Sequence, residues 1–174
     1  MNQPQILKQR HLSRRAMLLI SILLMLIDQI SKSWARQQLS SGFVIPFVPG
    51  LLQLRLISNT GAAFNLFNGA TFLLGLLSLA VTIGLMVWIW RAGQMPIWQG
   101  LAVSFLLGGT IGNGLDRWRL GHVTDFLQLV PVDFPIFNGA DVAINLAVIC
   151  FGIDALTRRH GPVSYTHLTL PTKA

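Results

Sequence analysis

Four apolar runs constrain this chain of 174 residues more than anything else in it. They cover residues 15–34, 70–90, 98–115 and 140–156. Each is about 17–21 residues long, and about 20 helical residues cross a hydrocarbon core. In lipid the backbone must satisfy its own polar groups, so such runs are expected as helices. Only 11% of the residues are charged, against about 25% in a soluble domain. The expected fold is a mainly α membrane protein with four transmembrane helices in one domain.

The net charge of +7 suggests a nucleic-acid partner, but its placement argues against one. Lys8, Arg10, Arg14 and Arg15 precede the first run, Arg91 follows the second, and Arg158 and Arg159 follow the last. That is the positive-inside pattern of a membrane protein. Four crossings then put both termini in the cytoplasm. Trp88, Trp90 and Trp98 fall at the inner interface and Trp34 and Trp118 at the outer one, as aromatic belts do. Residues 1–14 are expected as a basic cytoplasmic N-terminus, 15–157 as the membrane domain and 158–174 as a cytoplasmic tail. The tail is neither apolar nor periodic, so it is expected to be disordered or foreign to the domain, and His160 and His167 carry no role. The apolar stretch Ala16 to Ile27 has the basic start of a signal peptide but no small-x-small cleavage site after it, so it is expected as a retained span. The lone Cys150 is expected as a small buried apolar residue.

Two outer segments remain, 43–68 and 117–139. The first holds Pro46, Pro49 and Gly50, then Leu52-Gln-Leu-Arg-Leu56, which alternates as a half-buried strand does. The second has a similar stretch from Val123 to Val130. A small sheet on the outer membrane surface is expected. Asn65 lies within the first of these segments. The third span carries Gly108, Gly109, Gly112 and Gly114. Small residues at this spacing let helices approach closely. Close packing is the leading reading for them, and room for a substrate backbone the lesser one.

All six acids are aspartates: Asp28, Asp116, Asp125, Asp133, Asp141 and Asp154. Five map to the outer half or surface, and Asp154 lies near the basic inner end. Carboxylates beside a bilayer are functional candidates. Asp28 and Lys32 share a helix face, either as a simple pair or as a brace for other helices. Asp116 and Arg117 are adjacent and cannot share a face, so each needs another partner. Arg119 reads as a solvated loop residue, whereas Arg117 is placed to bind a peptide carbonyl or hold a carboxylate. Asp141 begins the fourth helix, where negative charge is favoured, and alone reads as a cap. The short connection to Asp125 brings the two acids face to face. Close carboxylates share a proton, so one can activate water while the other protonates a substrate carbonyl. There is no serine-nucleophile motif and no zinc helix. His122 beside two acids at irregular spacing is a poor metal set, so no metal is expected.

These residues resemble lipoprotein signal peptidase, or signal peptidase II, a bacterial membrane aspartic peptidase family. Five blocks carry the resemblance in order: Asp28-Gln-Ile-Ser-Lys32, Asn59-Thr-Gly-Ala-Ala-Phe64, Gly112-Asn-Gly-Leu-Asp-Arg117, Val123-Thr-Asp-Phe126 and Phe137-Asn-Gly-Ala-Asp141. The resemblance implies cleavage of diacylglyceryl-modified prolipoproteins on the amino side of the lipidated cysteine, without metal or cofactor. It implies a small extracytoplasmic β-cradle and a short surface helix above the four spans. Asp125 and Asp141 match the catalytic dyad. Asn59, Asn113, Arg117 and Asn138 match residues lining the substrate site, and Asp28, Lys32, Gly61 and Asp116 match supporting positions. The implied location is the bacterial inner membrane with the site at its outer face. The implied partners are lipid, prolipoprotein and the inhibitor globomycin, for a protein acting as a monomer. Two rival readings are a proton-coupled transporter, which places acids mid-membrane, and a non-catalytic assembly subunit, which leaves the Asp125 and Asp141 pair unexplained.

Overall fold

The structure is a computed structural model and describes residues 10–40, 42–61 and 66–158. The tail beyond Arg158, the first nine residues and Asn65 lie outside the described residues. In chain order the elements are β1 (His11–Ser13), α1 (Arg14–Gln38), β2 (Ile45–Val48), β3 (Leu52–Asn59), α2 (Thr71–Ala92), β4 (Gln94–Pro96), α3 (Ile97–Leu120), β5 (Val123–Leu129) and α4 (Gly139–Arg158). The four helices match the four apolar runs, with ends that differ from the runs by one to five residues.

The helices are not equivalent. By length and composition, α1, α2 and α4 are apolar enough to cross a membrane. The third run falls short of that, for a reason visible in its packing. Twelve of the 24 residues of α3 are buried, and α3 packs against all three other helices. A helix surrounded by helices has little lipid-facing surface to keep apolar, so Asn113 and Asp116 are tolerated on it. Around its first half, Val103 and Leu107 meet Met17, Leu85, Ile89 and Met95 in a closed apolar cluster.

Glycines make this central position possible. A Cβ at Gly108 would lie 2.8 Å from the Ser21 carbonyl oxygen of α1, and one at Gly109 would lie 2.6 Å from the Ala140 carbonyl oxygen of α4. One at Gly112 would lie 2.5 Å from Asp28 Oδ2, and one at Gly114 3.1 Å from Ser78 Cβ of α2. The stripe therefore meets the backbones of α1 and α4 and a side chain of α2 at close range.

A two-stranded clip at the end holding Arg14 and Arg91 was not legible in the sequence, which reads as a plain turn there. β1 and β4 are antiparallel, with Leu12 opposite Met95. The amide of Arg14 donates to the Gly93 carbonyl at 2.9 Å and that of Ile97 to the Arg10 carbonyl at 2.9 Å. The Arg14 guanidinium lies 4.4 Å from the Trp90 ring centroid. Three-residue strands carry too little alternation to be recognised from pattern.

At the opposite end β2, β3 and β5 form an antiparallel sheet in the order β2-β3-β5. Pro46 sits on the edge strand, where its missing N–H does no harm. Leu54 and Phe126 of the sheet pack on Ala35 and Leu39 at the end of α1. β3 runs on to Asn59, beyond the alternating stretch, and so delivers that asparagine to the region described next. No short helix lies among the described residues between β3 and α2, where 66–69 form a turn and 62–65 lie outside the description.

Gly109→Ala is expected to destabilise the protein by about 1–3 kcal/mol through overpacking, whereas Gly84→Ala, with nothing within 4 Å, should not. Thermal melting of both variants in detergent checks this. Equal melting would refute the close α3–α4 contact.

Candidate active site

A buried ion cluster joins three helices below the sheet. Lys32 Nζ lies 2.9 Å from Asp28 Oδ2 and 3.4 Å from Asp116 Oδ2, and it donates to Asn113 Oδ1 at 2.8 Å. Lys32, Asp28 and Asp116 are at most 1% exposed. An ammonium has three donors, and here each has an oxygen. Asp28 Oδ1 accepts from the Ala140 amide at 2.9 Å, and Asp116 Oδ2 from the Thr124 amide at 3.0 Å. The cluster thus grips the start of α4 and the start of β5. Asp28 and Lys32 form both things the sequence allowed, a helix pair and a brace.

These are the two places that carry Asp141 and Asp125. Asn138 caps α4. Its Oδ1 accepts from the Asp141 amide at 3.0 Å, and Asp141 Oδ2 accepts from the Asn138 amide at 3.1 Å. This is a reciprocal capping box. Asp141 is therefore the first-turn partner of the cap at Asn138, and through Asn138 it is also tied to Asp125. Asn138 Nδ2 donates to Asp125 Oδ1 at 2.6 Å, so one side chain touches Asp125 and closes the box on Asp141.

Two further asparagines supply the remaining donors. Asn59 Nδ2 donates to Asp125 Oδ2 at 2.9 Å, and Asn113 Nδ2 donates to Asp141 Oδ1 at 2.9 Å. Each amide is oriented by a donor on its oxygen. Lys32 Nζ holds Asn113 Oδ1, the Gly61 amide holds Asn59 Oδ1 at 2.9 Å, and the Asp141 amide holds Asn138 Oδ1. With the oxygen occupied, the NH₂ group must face the acid. Arg117 acts one step back. Its Nη2 donates to the Gly61 carbonyl at 3.0 Å, so the peptide carbonyl it binds belongs to its own chain. Its Nε is buried without a partner among the described residues.

A β-bulge in β3 lies opposite Asp125. The β3–β5 register shifts between Leu54 and Ile57, and Ile57 is the residue opposite Asp125. One extra residue in β3 re-aims the side chains that follow. Asp125 is 1% exposed, and burial pushes its carboxyl up to about 6. The neighbouring Asp141 charge pushes the same way, while the amides of Asn59 and Asn138 oppose it. Asp141 is only partly buried, so water can reach that member.

The structure brings Asp28, Lys32, Asn59, Gly61, Asn113, Asp116, Arg117, Asp125, Asn138 and Asp141 into one connected network. His122 instead lines a separate cavity with Arg36 and Ser58, and Asp154 pairs with Arg158 at 2.9 Å. Sequence reasoning passed over Gln29, whose Nε2 donates to Asp28 Oδ2, to the Gly112 carbonyl and to Asp116 Oδ1 at 3.1–3.2 Å. An uncharged amide inside an apolar run was the available signal. It also passed over Thr124, which looks like any β-branched strand residue.

The sequence model of the signal peptidase (SPase) II family matches residues 20–157. The chain belongs to the signal peptidase II family. It is 58% identical to a lipoprotein signal peptidase of Parasynechococcus marenigrum (strain WH8102) over 147 residues, or 84% of this chain and 92% of that one. It is 43% identical to one of Gloeobacter violaceus over 79% of this chain and 80% of that one. A bacterial membrane enzyme solved by the in meso method at 2.3 Å superposes with a TM-score of 0.82 at 25% identity, covering 91% of this chain and 98% of that chain. Family membership makes the chain a membrane protease, and nothing favours the transporter reading.

Lys32→Met leaves two buried acids without their cation and should cost about 3–5 kcal/mol, read as a lower melting temperature in detergent. A pH effect follows from Asp125. With its pKa raised from 3.8 to about 6, the folded chain holds a proton that the unfolded chain has lost in that window. Its contribution is fully present below about pH 3.8 and is lost as pH rises through about 6. The stability difference between wild type and Asp125→Asn should therefore change across pH 4–6, whereas a flat difference would refute the raised value.

Proposed function

We propose that Asp125 and Asp141 are the catalytic dyad of an aspartic endopeptidase. On this reading it removes signal peptides from prolipoproteins by cutting on the amino side of a diacylglyceryl-modified cysteine. The observation that carries this is the joint hold of Asn138 on both acids, with Asn59 turned toward Asp125 and Asn113 toward Asp141. Asp125 holds the shared proton and Asp141 faces water. Asp141 takes a proton from water as its oxygen attacks the scissile carbonyl carbon, and Asp125 protonates the carbonyl oxygen. As the C–N bond breaks, the leaving amine takes a proton from Asp141 and the proton on the former carbonyl oxygen returns to Asp125, which restores the dyad. The titration belongs to the pair rather than to either acid.

Asn59, Asn113, Arg117 and Asn138 line the substrate site in this proposal, and Asp28, Lys32, Gly61 and Asp116 support it. A cavity of about 310 Å³ lined by Phe72, Gly75, Trp118 and Arg117 suits the lipid part of the substrate. Phe72 is 70% exposed on the side that would face lipid. The protein acts as a monomer in this proposal, as the family resemblance implies. Arg14, Arg15, Arg91 and Arg158 gather at the helix ends remote from the dyad. The charge rule then puts those ends in the cytoplasm and the dyad at the outer face of the bacterial inner membrane.

In a gel-shift assay with diacylglyceryl-modified prolipoprotein, Asp125→Asn and Asp141→Asn should each lower cleavage by at least about 10²–10⁴-fold while the chain still melts cooperatively. Globomycin should block the wild type. Arg117→Ala should weaken cleavage and lower the melting temperature through loss of the Gly61 contact. Full cleavage by either aspartate variant would refute the dyad.

A further inference from the structure

A second polar site lies on the other side of β5. A cavity of about 230 Å³ is lined by Arg36, Leu56, Ile57, Ser58, His122 and Thr124. Ser58 and Thr124 are cross-strand neighbours, so two hydroxyls stand side by side on its wall. Arg36 reaches it from the last turn of α1. Its Nη1 donates to Thr124 Oγ1 at 2.9 Å and lies 3.9 Å from Asp116 Oδ1. Those contacts hold one nitrogen of the guanidinium in place while the group lines the cavity. A preorganised guanidinium fork beside hydroxyl donors and an imidazole is the chemistry that binds a phosphate.

Depth points to the source of that phosphate. Ile30 is 67% exposed and Trp34 47% exposed on α1, which marks the apolar belt and its aromatic border. Arg36 follows Trp34 by two residues, or about 3 Å along the axis, and so stands at headgroup level. Arg36, Arg55 and Arg119 also lie at the bundle end opposite the Arg14, Arg15, Arg91 and Arg158 group. The topological role of arginine does not account for them there. A cation near the end of α1 complements the helix dipole, but that alone calls for no cavity.

We propose that this cavity binds the phosphate group of an anionic phospholipid headgroup. The site is separate from the dyad and does not depend on the peptidase reading. It adjoins the active region through Thr124, whose hydroxyl accepts from Arg36 and whose amide is held by Asp116.

The test is a melting titration of the full chain in detergent with short-chain phosphatidylglycerol, diacylglycerol of the same chain length, which lacks the phosphate, or inorganic phosphate. Phosphatidylglycerol should raise the melting temperature saturably, and diacylglycerol should not. Arg36→Gln should weaken the apparent affinity for phosphatidylglycerol by about tenfold or more, with smaller losses in Ser58→Ala and His122→Gln. Equal response to both lipids, or unchanged affinity in Arg36→Gln, overturns the site. If Arg36→Gln shows no melting transition, unchanged affinity in both Ser58→Ala and His122→Gln overturns it instead. Saturation by inorganic phosphate with the affinity of phosphatidylglycerol would assign the cavity to the free anion and overturn the lipid source.

Discussion

The Lys32 ammonium is the interaction on which the rest of the arrangement depends. It is fully buried and meets Asp28, Asp116 and Asn113. Removing an ion from water costs several kcal/mol even in a relaxed protein, so such a group persists only where its partners are complete. Here the partners are themselves committed. Asp28 holds the Ala140 amide and Asp116 the Thr124 amide. One positive charge thereby links α1 to the first turn of α4 and the first residues of β5. Gly112 is part of the same solution, since any side chain there would displace Asp28 Oδ2.

The asparagines convert that rigidity into chemistry. A carboxamide presents an acceptor and a donor in fixed opposition. Securing the oxygen therefore aims the nitrogen. Lys32, the Gly61 amide and the Asp141 amide each secure one oxygen, and the three NH₂ groups converge on Asp125 and Asp141. A glutamine or a hydroxyl, with more freedom, would carry less directional information. Arg117 contributes by the same logic through Gly61, although its charge invites a more direct role.

Much of this was legible in the sequence because lipid imposes strong patterns. Helices α1, α2 and α4 follow from long apolar runs, and the strand between Leu52 and Leu56 from its alternation. The two acids stood out because carboxylates are rare in such surroundings. What was not legible depends on contacts between distant segments. The β1–β4 clip is too short to show a period, and the bulge opposite Asp125 is a matter of register that no local pattern encodes. The central position of α3 was hinted at by its glycines, but its reduced apolarity makes sense only once three helices surround it. Gln29 and Thr124 look ordinary in sequence and acquire meaning from partners more than eighty residues away or across a network.

The i, i+4 spacing of Asp28 and Lys32 has a consequence for how the chain is assembled. The other partners of these residues, Asn113, Asp116 and the Ala140 amide, are made much later in synthesis. A helix bearing an isolated charge would resist transfer into lipid. Because the two charges can neutralise each other within one turn, α1 carries its own provisional counterion into the bilayer. The long-range partners then complete a network that was electrically balanced from the outset.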